Sequence, residues 1–192
     1  MERTRKVVGV DIDGVLGDQV EGVLKRVNPG LSSPRCYEDV VDWDIQLGDS
    51  SFIPEIKKAL KDQRYVLDMP VHAGATDMLE ALRRNYFVRI ITVRPPEAIS
   101  WTEQWLINND LPYDELVPAE EAQKSRHDAD VLIDDYPVNL EEYLTNTDGI
   151  AFLVDQPWNR DHSSLESWLN DGRLFCVSKI IDIPLRLEEM LT

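Results

Sequence analysis

The chain has 192 residues, 43% of them hydrophobic, which fits one globular domain, or one domain carrying an insertion, and excludes a disordered protein. Its 36 acidic residues outnumber 20 basic ones, and the formal charge of -16 repels a phosphate backbone and gives no counterion release to drive polynucleotide binding. Cys36 and Cys176 fall outside any zinc or redox spacing, and neither an apolar run of membrane-spanning length nor a secretory signal occurs, so the expectation is a soluble cytoplasmic protein with reduced thiols.

Residues 6–14, Lys-Val-Val-Gly-Val-Asp-Ile-Asp-Gly, form a β-branched apolar run that stops at two aspartates one residue apart. Val7, Val8, Val10 and Ile12 suit a strand buried on both faces, so Asp11 and Asp13 emerge at its carboxyl end, and Gly14 permits the bend that aims them apart. Taken alone, this tetrapeptide fits a strand-ending turn as well as a catalytic site. Beyond it, Val20, Val23, Leu24 and Val27 recur at helical spacing behind Asp18 as N-cap, and Asn28-Pro29-Gly30 ends the helix. Residues 31–49 are turn-rich and carry Tyr37, Val40, Val41, Trp43 and Ile45 in a short helix and loop; residues 51–61 resume helical spacing through Ile53, Ile56, Ala59 and Leu60. No segment here reads as a parallel strand, so residues 16–72 are expected to be a mostly helical insertion into a domain formed by 1–15 and 73–192.

Residues 74–85 form an amphipathic helix, and 86–92 a second strand that ends at Thr92-Val93-Arg94-Pro95-Pro96, where proline takes the chain out of regular structure. A helix over 97–108 carries Trp101 and Trp105 as a core stripe; 113–117 make a short strand, and 119–127 a helix or loop bearing Lys124. The strand at 130–133 delivers Asp134 and Asp135 just as the first delivers Asp11 and Asp13. A short helix at 140–144, a strand at 149–154, helical residues at 163–170, an edge strand at 174–177 and a final helix at 184–191 complete the chain. Such alternation implies an α/β fold with a doubly wound parallel sheet flanked by helices, whose ligands bind at the carboxyl edge.

Along that edge the strand ends carry Asp11, Asp13, Thr92, Asp134 and Asp135, with Lys124 between them in sequence. Acids gathered in one crevice repel unless a divalent cation such as Mg²⁺, which takes hard oxygen ligands and retains waters, sits among them. Lys124 balances part of the remaining charge. His72, His127 and His162 form no metal-binding pattern.

The order Asp-X-Asp-Gly-Val, a strand-terminal threonine, a lysine and Ile133-Asp134-Asp135 resembles the four motifs of the haloacid dehalogenase-like (HAD) phosphohydrolases. The stretch Thr92-Val93-Arg94-Pro95, Lys124 ten residues before Asp134, and Asp-Gln-Pro-Trp-Asn-Arg at 155–160 resemble the 5'(3')-deoxyribonucleotidases in particular. This resemblance implies a HAD-like Rossmannoid core with a small helical cap inserted after the first strand. It also implies that Asp11 is the nucleophile of an aspartyl-phosphate mechanism and that Asp13 is general acid and then base. Mg²⁺ is implied at Asp11, the backbone carbonyl of Asp13 and Asp134, with Asp135 a further metal candidate or an outer group orienting a water or Lys124. Thr92 is expected to hydrogen-bond a phosphate oxygen beside Val93, and Lys124 to steady both the phosphate and Asp11. Arg94 is either a phosphate contact or an exposed surface arginine. Trp43, Phe52 and Tyr37 either sandwich a base or form the cap's own core. The implied substrate is a (deoxy)nucleoside monophosphate, a pyrimidine deoxynucleotide first; a sugar phosphate, phosphoglycolate or a non-catalytic Mg²⁺- or nucleotide-binding role are the alternatives. A polynucleotide substrate is disfavoured by the charge, no membrane partner is expected, and a homodimer is compatible with the sequence.

Overall fold

The structure is a computed structural model and describes residues 5–161 and 163–191; His162 lies outside them. The first strand, β1 (Val7–Val10), is buried along its whole length, as a strand covered on both faces requires. The insertion follows. Asp18 caps α1 (Gln19–Val27) by accepting the Glu21 N–H at 2.9 Å. The stretch expected as a short helix and loop holds one 3₁₀ turn at Tyr37–Asp39 and then a miniature antiparallel hairpin, β2 (Gln46–Leu47) and β3 (Ser50–Ser51), turned by Gly48 at φ 70°. The helical run at 51–61 forms α2 (Phe52–Ala59), and a further short helix that the sequence reading did not single out, α3 (Gln63–Asp68), starts where the Asp62 carboxylate accepts from the Arg64 N–H at 3.0 Å. Val20, Leu24, Phe52, Leu60, Tyr65 and Val66 build a core of the insertion's own, to which the sheet domain adds Ala98 and Trp158.

The remaining elements are α4 (Ala75–Asn85), β4 (Phe87–Thr92), α5 (Ile99–Asn108), β5 (Glu115–Pro118), β6 (Val131–Asp134), α6 (Pro137–Asn146), β7 (Ile150–Val154), α7 (Glu166–Asn170), β8 (Leu174–Val177) and α8 (Ile183–Leu191). The sheet is parallel in the order β5-β4-β1-β6-β7-β8. Val8, Val10 and Ile12 pack with α4, α5 and α8 on one face, while Val7 packs with α6 and Leu165 on the other. From β1 the chain steps outward to β4 and β5, then returns to the opposite side of β1 for β6. This reversal opens a crevice at the carboxyl ends of β1 and β6, where an open α/β sheet binds its ligands. The insertion leaves and re-enters the core beside itself: Asp18 N donates to Pro70 O at 2.8 Å and His72 N to Leu16 O at 2.9 Å. Among the described residues no helix is long and apolar enough to cross a membrane.

Candidate active site

At the exit of β1 the backbone of Asp11 donates to Ile133 O at 2.9 Å, fixing the first acid beside β6. The turn that follows needs glycine: Gly14 sits at φ 82°, and an added Cβ would lie 2.2 Å from Asp135 Oδ2. Lys124, fully buried on the 3₁₀ turn after β5, donates to Asp11 Oδ1 at 2.5 Å and to Asp134 Oδ2 at 2.7 Å. Burial opposes its charge, but Asp11 and Asp134 outweigh that and hold the ammonium above its ordinary pKa. Asp134 accepts three hydrogen bonds, since its Oδ1 takes one from Tyr136 N at 2.9 Å and its Oδ2 takes another from Asn139 Nδ2 at 3.1 Å besides that of Lys124. Asp135 accepts from the Trp158 indole at 2.7 Å through Oδ2.

These acids carry an unbalanced charge. Burial first, then the neighbouring Asp134 and Asp13 carboxylates, pushes Asp11 up to about 7 against the pull of Lys124. Burial, followed by Asp134 and Asp11, raises Asp135 well above the usual carboxylate range. One oxygen from each of Asp11, Asp134 and Asp135 lies within 4.8 Å of the others. Among the described residues Asp11 Oδ2 and Asp135 Oδ1 accept no hydrogen bond, so two hard oxygens remain open while one ammonium faces three carboxylates. That donor set fits a small divalent cation. The side chain of Asp13 stands outside the cluster, because Arg94 grips it through Nε to Oδ2 at 2.9 Å and Nη2 to Oδ1 at 2.6 Å. Its backbone carbonyl is the part left to offer a metal.

A cavity of about 520 Å³ opens above Asp11 and Asp13. Asp135 and Asn139 line its buried end; Trp43, Ile56 and Leu60 come from the insertion, and Val93 and Ile53 present exposed apolar surface. Lys57 on α2 and Lys61 in the turn after it are exposed, line the cavity and enter no ion pair among the described residues.

The sequence candidates are therefore distributed unevenly. Asp11, Asp134, Asp135 and Lys124 come together in one cluster. Thr92 is fully buried at the end of β4, accepts from Arg94 N at 3.3 Å and is not among the cavity-lining residues. Arg94 lines the cavity but is no surface arginine: it is buried, and its guanidinium donates to Asp13, Thr102 and Met69. Phe52 corrects the expectation of a substrate contact, because at the start of α2 it is fully buried in the insertion's core, 6.0 Å from Trp43. Tyr37 also stands off the cavity and donates to Gln156. Of the three insertion aromatics only Trp43 lines it. Lys57, Lys61 and Asn139 escaped sequence reasoning. Lys57 lies on α2 and Lys61 in the turn just after it; both belong to the run with helical spacing at 51–61, but the sequence does not tell which side of that run meets the crevice.

Acids and a lysine converging at the reversal point of this sheet define a HAD-like hydrolase. Solved structures with the same fold include a haloacid dehalogenase-like family hydrolase from Xanthomonas campestris (16% identity, 96% of this chain and 95% of that one, TM-score 0.57). Others are the L-2-haloacid dehalogenase of Xanthobacter autotrophicus (11% identity, 97% and 100%, TM-score 0.61) and CbbY from Rhodobacter sphaeroides in complex with phosphate (10%, 94% and 96%, TM-score 0.55). At such identities the likeness speaks to the fold alone. The particular family comes from sequence: residues 5–181 match the model of the 5' nucleotidase, deoxy (Pyrimidine), cytosolic type C proteins. The chain belongs to this family and is a phosphoric monoester hydrolase. No protein of curated function matches it.

Proposed function

We propose that the chain is a Mg²⁺-dependent 5'-nucleotidase that hydrolyses (deoxy)nucleoside monophosphates through an aspartyl-phosphate on Asp11. The observation that carries this reading is a buried carboxylate with one oxygen held by Lys124 and the other open toward a cavity large enough for a nucleoside. Asp11 Oδ2 attacks phosphorus in line, so that one difficult displacement becomes two easier ones. Asp13 protonates the departing alkoxide and then takes the proton of the hydrolytic water. Because Arg94 occupies both of its oxygens, Asp13 is aimed in advance and must release one of those bonds and take up a proton from solvent on that oxygen before it acts as the acid. Lys124 keeps Asp11 Oδ1 fixed and offsets charge on the phosphate, and Thr92 supports the β4 exit that shapes the phosphate site.

Mg²⁺ would be held by Asp11, Asp134, Asp135 and the Asp13 carbonyl, and Asp134 also anchors Lys124 and Asn139 through Oδ2. When bound, the ion offsets the like charges of carboxylate and phosphate. Residues 16–72 act as a cap on the core of 1–15 and 73–192. Trp43, Ile53, Ile56 and Leu60 offer an apolar wall suited to a base, and Lys57 and Lys61 supply free cations where a chain of charge -16 must admit an anion. The cytosolic type of the family supports a cytoplasmic location.

A phosphate-release survey over nucleoside monophosphates, sugar phosphates and phosphoglycolate tests the proposal. Preference for nucleotides supports it, and activity confined to sugar phosphates or phosphoglycolate overturns the substrate assignment.

A further inference from the structure

The chain leaving β7 runs between insertion and core, and two of its side chains each touch both. Gln156 is buried; its Nε2 donates to the Gly14 carbonyl at 2.7 Å, and its Oε1 accepts from the Tyr37 hydroxyl at 2.6 Å. The amide orientation follows from chemistry, because a backbone carbonyl only accepts and so requires the nitrogen. Burial raises the Tyr37 phenol above its ordinary pKa, which leaves its proton in place as the donor. Gly14 directly follows Asp13 and closes the acid-bearing turn by donating to Gly17 O at 2.9 Å.

Two residues later, Trp158 repeats the arrangement on the other catalytic loop. Its indole donates to Asp135 Oδ2 at 2.7 Å, while its ring lies 5.1 Å from Trp43 and 5.6 Å from Tyr37 of the insertion. Asn159 makes the turn rigid: its Nδ2 donates to Asp135 O at 2.6 Å and Val154 O at 2.8 Å, and its Oδ1 accepts from Gln156 N at 3.0 Å. Each loop that carries an acid is thus held by a side chain whose far side rests on the insertion.

We propose that Gln156 and Trp158 are positioning residues forming a two-armed latch, which transmits the seating of the cap at Tyr37 and Trp43 to the Gly14 carbonyl and to Asp135. The inference rests on the phosphohydrolase reading above, since it concerns the geometry in which Asp11 and Asp13 react. Withdrawing Tyr37 leaves the buried Gln156 oxygen without a donor and frees the amide to turn away from Gly14, so a seated cap and an ordered catalytic turn stabilise each other. Neither Tyr37 nor Gln156 lines the substrate cavity, and an effect of their replacement on turnover therefore does not arise from a lost substrate contact.

The test compares Tyr37→Phe, Gln156→Leu and the double variant with wild type in amide hydrogen exchange, thermal midpoint, and kcat and KM on para-nitrophenyl phosphate with Mg²⁺. Tyr37→Phe should accelerate exchange at residues 14–17 several-fold and leave β4 amides unchanged. It should lower kcat by about 3–10-fold, the size of one lost hydrogen bond, with KM nearly constant. The double variant should be no worse than Gln156→Leu alone, because both changes break one chain of contacts. Unchanged exchange at 14–17 in Tyr37→Phe, or losses that multiply in the double variant, overturns the latch. If Gln156→Leu does not fold, Tyr37→Phe decides alone. Should wild type release no phosphate from any ester, the phosphohydrolase reading fails, and the exchange measurement still judges the latch.

Discussion

Replacing Gly14 with alanine probes the turn between the two acidic loops, and the cost can be worked from geometry. The residue sits at φ 82°, and a Cβ would stand 2.2 Å from Oδ2 and 2.4 Å from Cγ of Asp135. An L-residue in the left-handed region costs about 1–2 kcal/mol. Displacing a buried carboxylate held by Trp158 adds about 1–3 kcal/mol, as other overpacked sites do. Gly14→Ala should therefore lose about 2–5 kcal/mol, the sum of those two costs. Gly172 separates them: it shares a positive φ of 69°, but nothing lies within 4 Å of its added Cβ, so Gly172→Ala bears only the first. Gly30 has neither a positive φ nor a neighbour within 4 Å, and Gly30→Ala should stay within about 0.5 kcal/mol of wild type. Urea denaturation of the three variants should rank them Gly30→Ala, Gly172→Ala, Gly14→Ala in falling stability. Titration with Mg²⁺ followed by thermal midpoint should show weakening of about 10–100-fold for Gly14→Ala alone, because it moves a proposed ligand. If Gly14→Ala matches Gly172→Ala in both stability and Mg²⁺ affinity, the close approach of Gly14 to Asp135 has no role and the reasoning is wrong.

Four further outcomes are expected. Lys57→Gln with Lys61→Gln should raise KM for nucleotides about 3–10-fold at low salt with kcat retained, and kcat/KM should become less salt-dependent; an unchanged salt slope would remove the lysines from anion recognition. Trp43→Ala should raise KM for nucleotides more than for para-nitrophenyl phosphate, whereas Phe52→Ala should leave KM alone and cost about 3–5 kcal/mol of stability, as expected of a buried ring; equal effects on KM would contradict their separate placements. Arg94→Lys, which loses the two-pronged grip on Asp13, should lower kcat while Mg²⁺ binding, read by thermal midpoint, persists. For metal-free protein the sign follows from Asp11: its folded value near 7 exceeds the ordinary 3.8, so the unfolded chain ionises first and stability is lost as pH rises from about 4 to about 7. The stabilisation by Mg²⁺ should accordingly be larger above that window than below it, and a pH-independent increment in thermal midpoint would refute the assignment.

Much of the sheet was legible because β1 and β6 are buried on both faces and so appear as continuous apolar runs that end at Asp11 and Asp134, while β4 keeps Val88, Ile90 and Ile91 buried around a half-buried Arg89 before it ends at Thr92. The hairpin of β2 and β3 was not, since strands of two residues carry no period to read. The helix α3 was hidden as well, because its 6 residues make less than two turns and carry too little period to read. At the site, the acids and Lys124 could be picked out by residue type and order. Their partners could not: Arg94 meets Asp13 across 81 positions, and Tyr37 meets Gln156 across 119, so only folding brings them together. Trp43 and Phe52 look equivalent in sequence. Their difference arises from one lying in a loop beside the cavity and the other on the inner side of α2.

The most direct test of the central claim is to find where the phosphoryl group resides during turnover. Wild-type enzyme mixed with excess nucleoside monophosphate and Mg²⁺, quenched in acid within one turnover, should yield a peptide that carries one phosphoryl group on Asp11, and Asp11→Asn should yield none and release no phosphate. Continued phosphate release by Asp11→Asn, or a phosphoryl group on a different residue, would contradict the account.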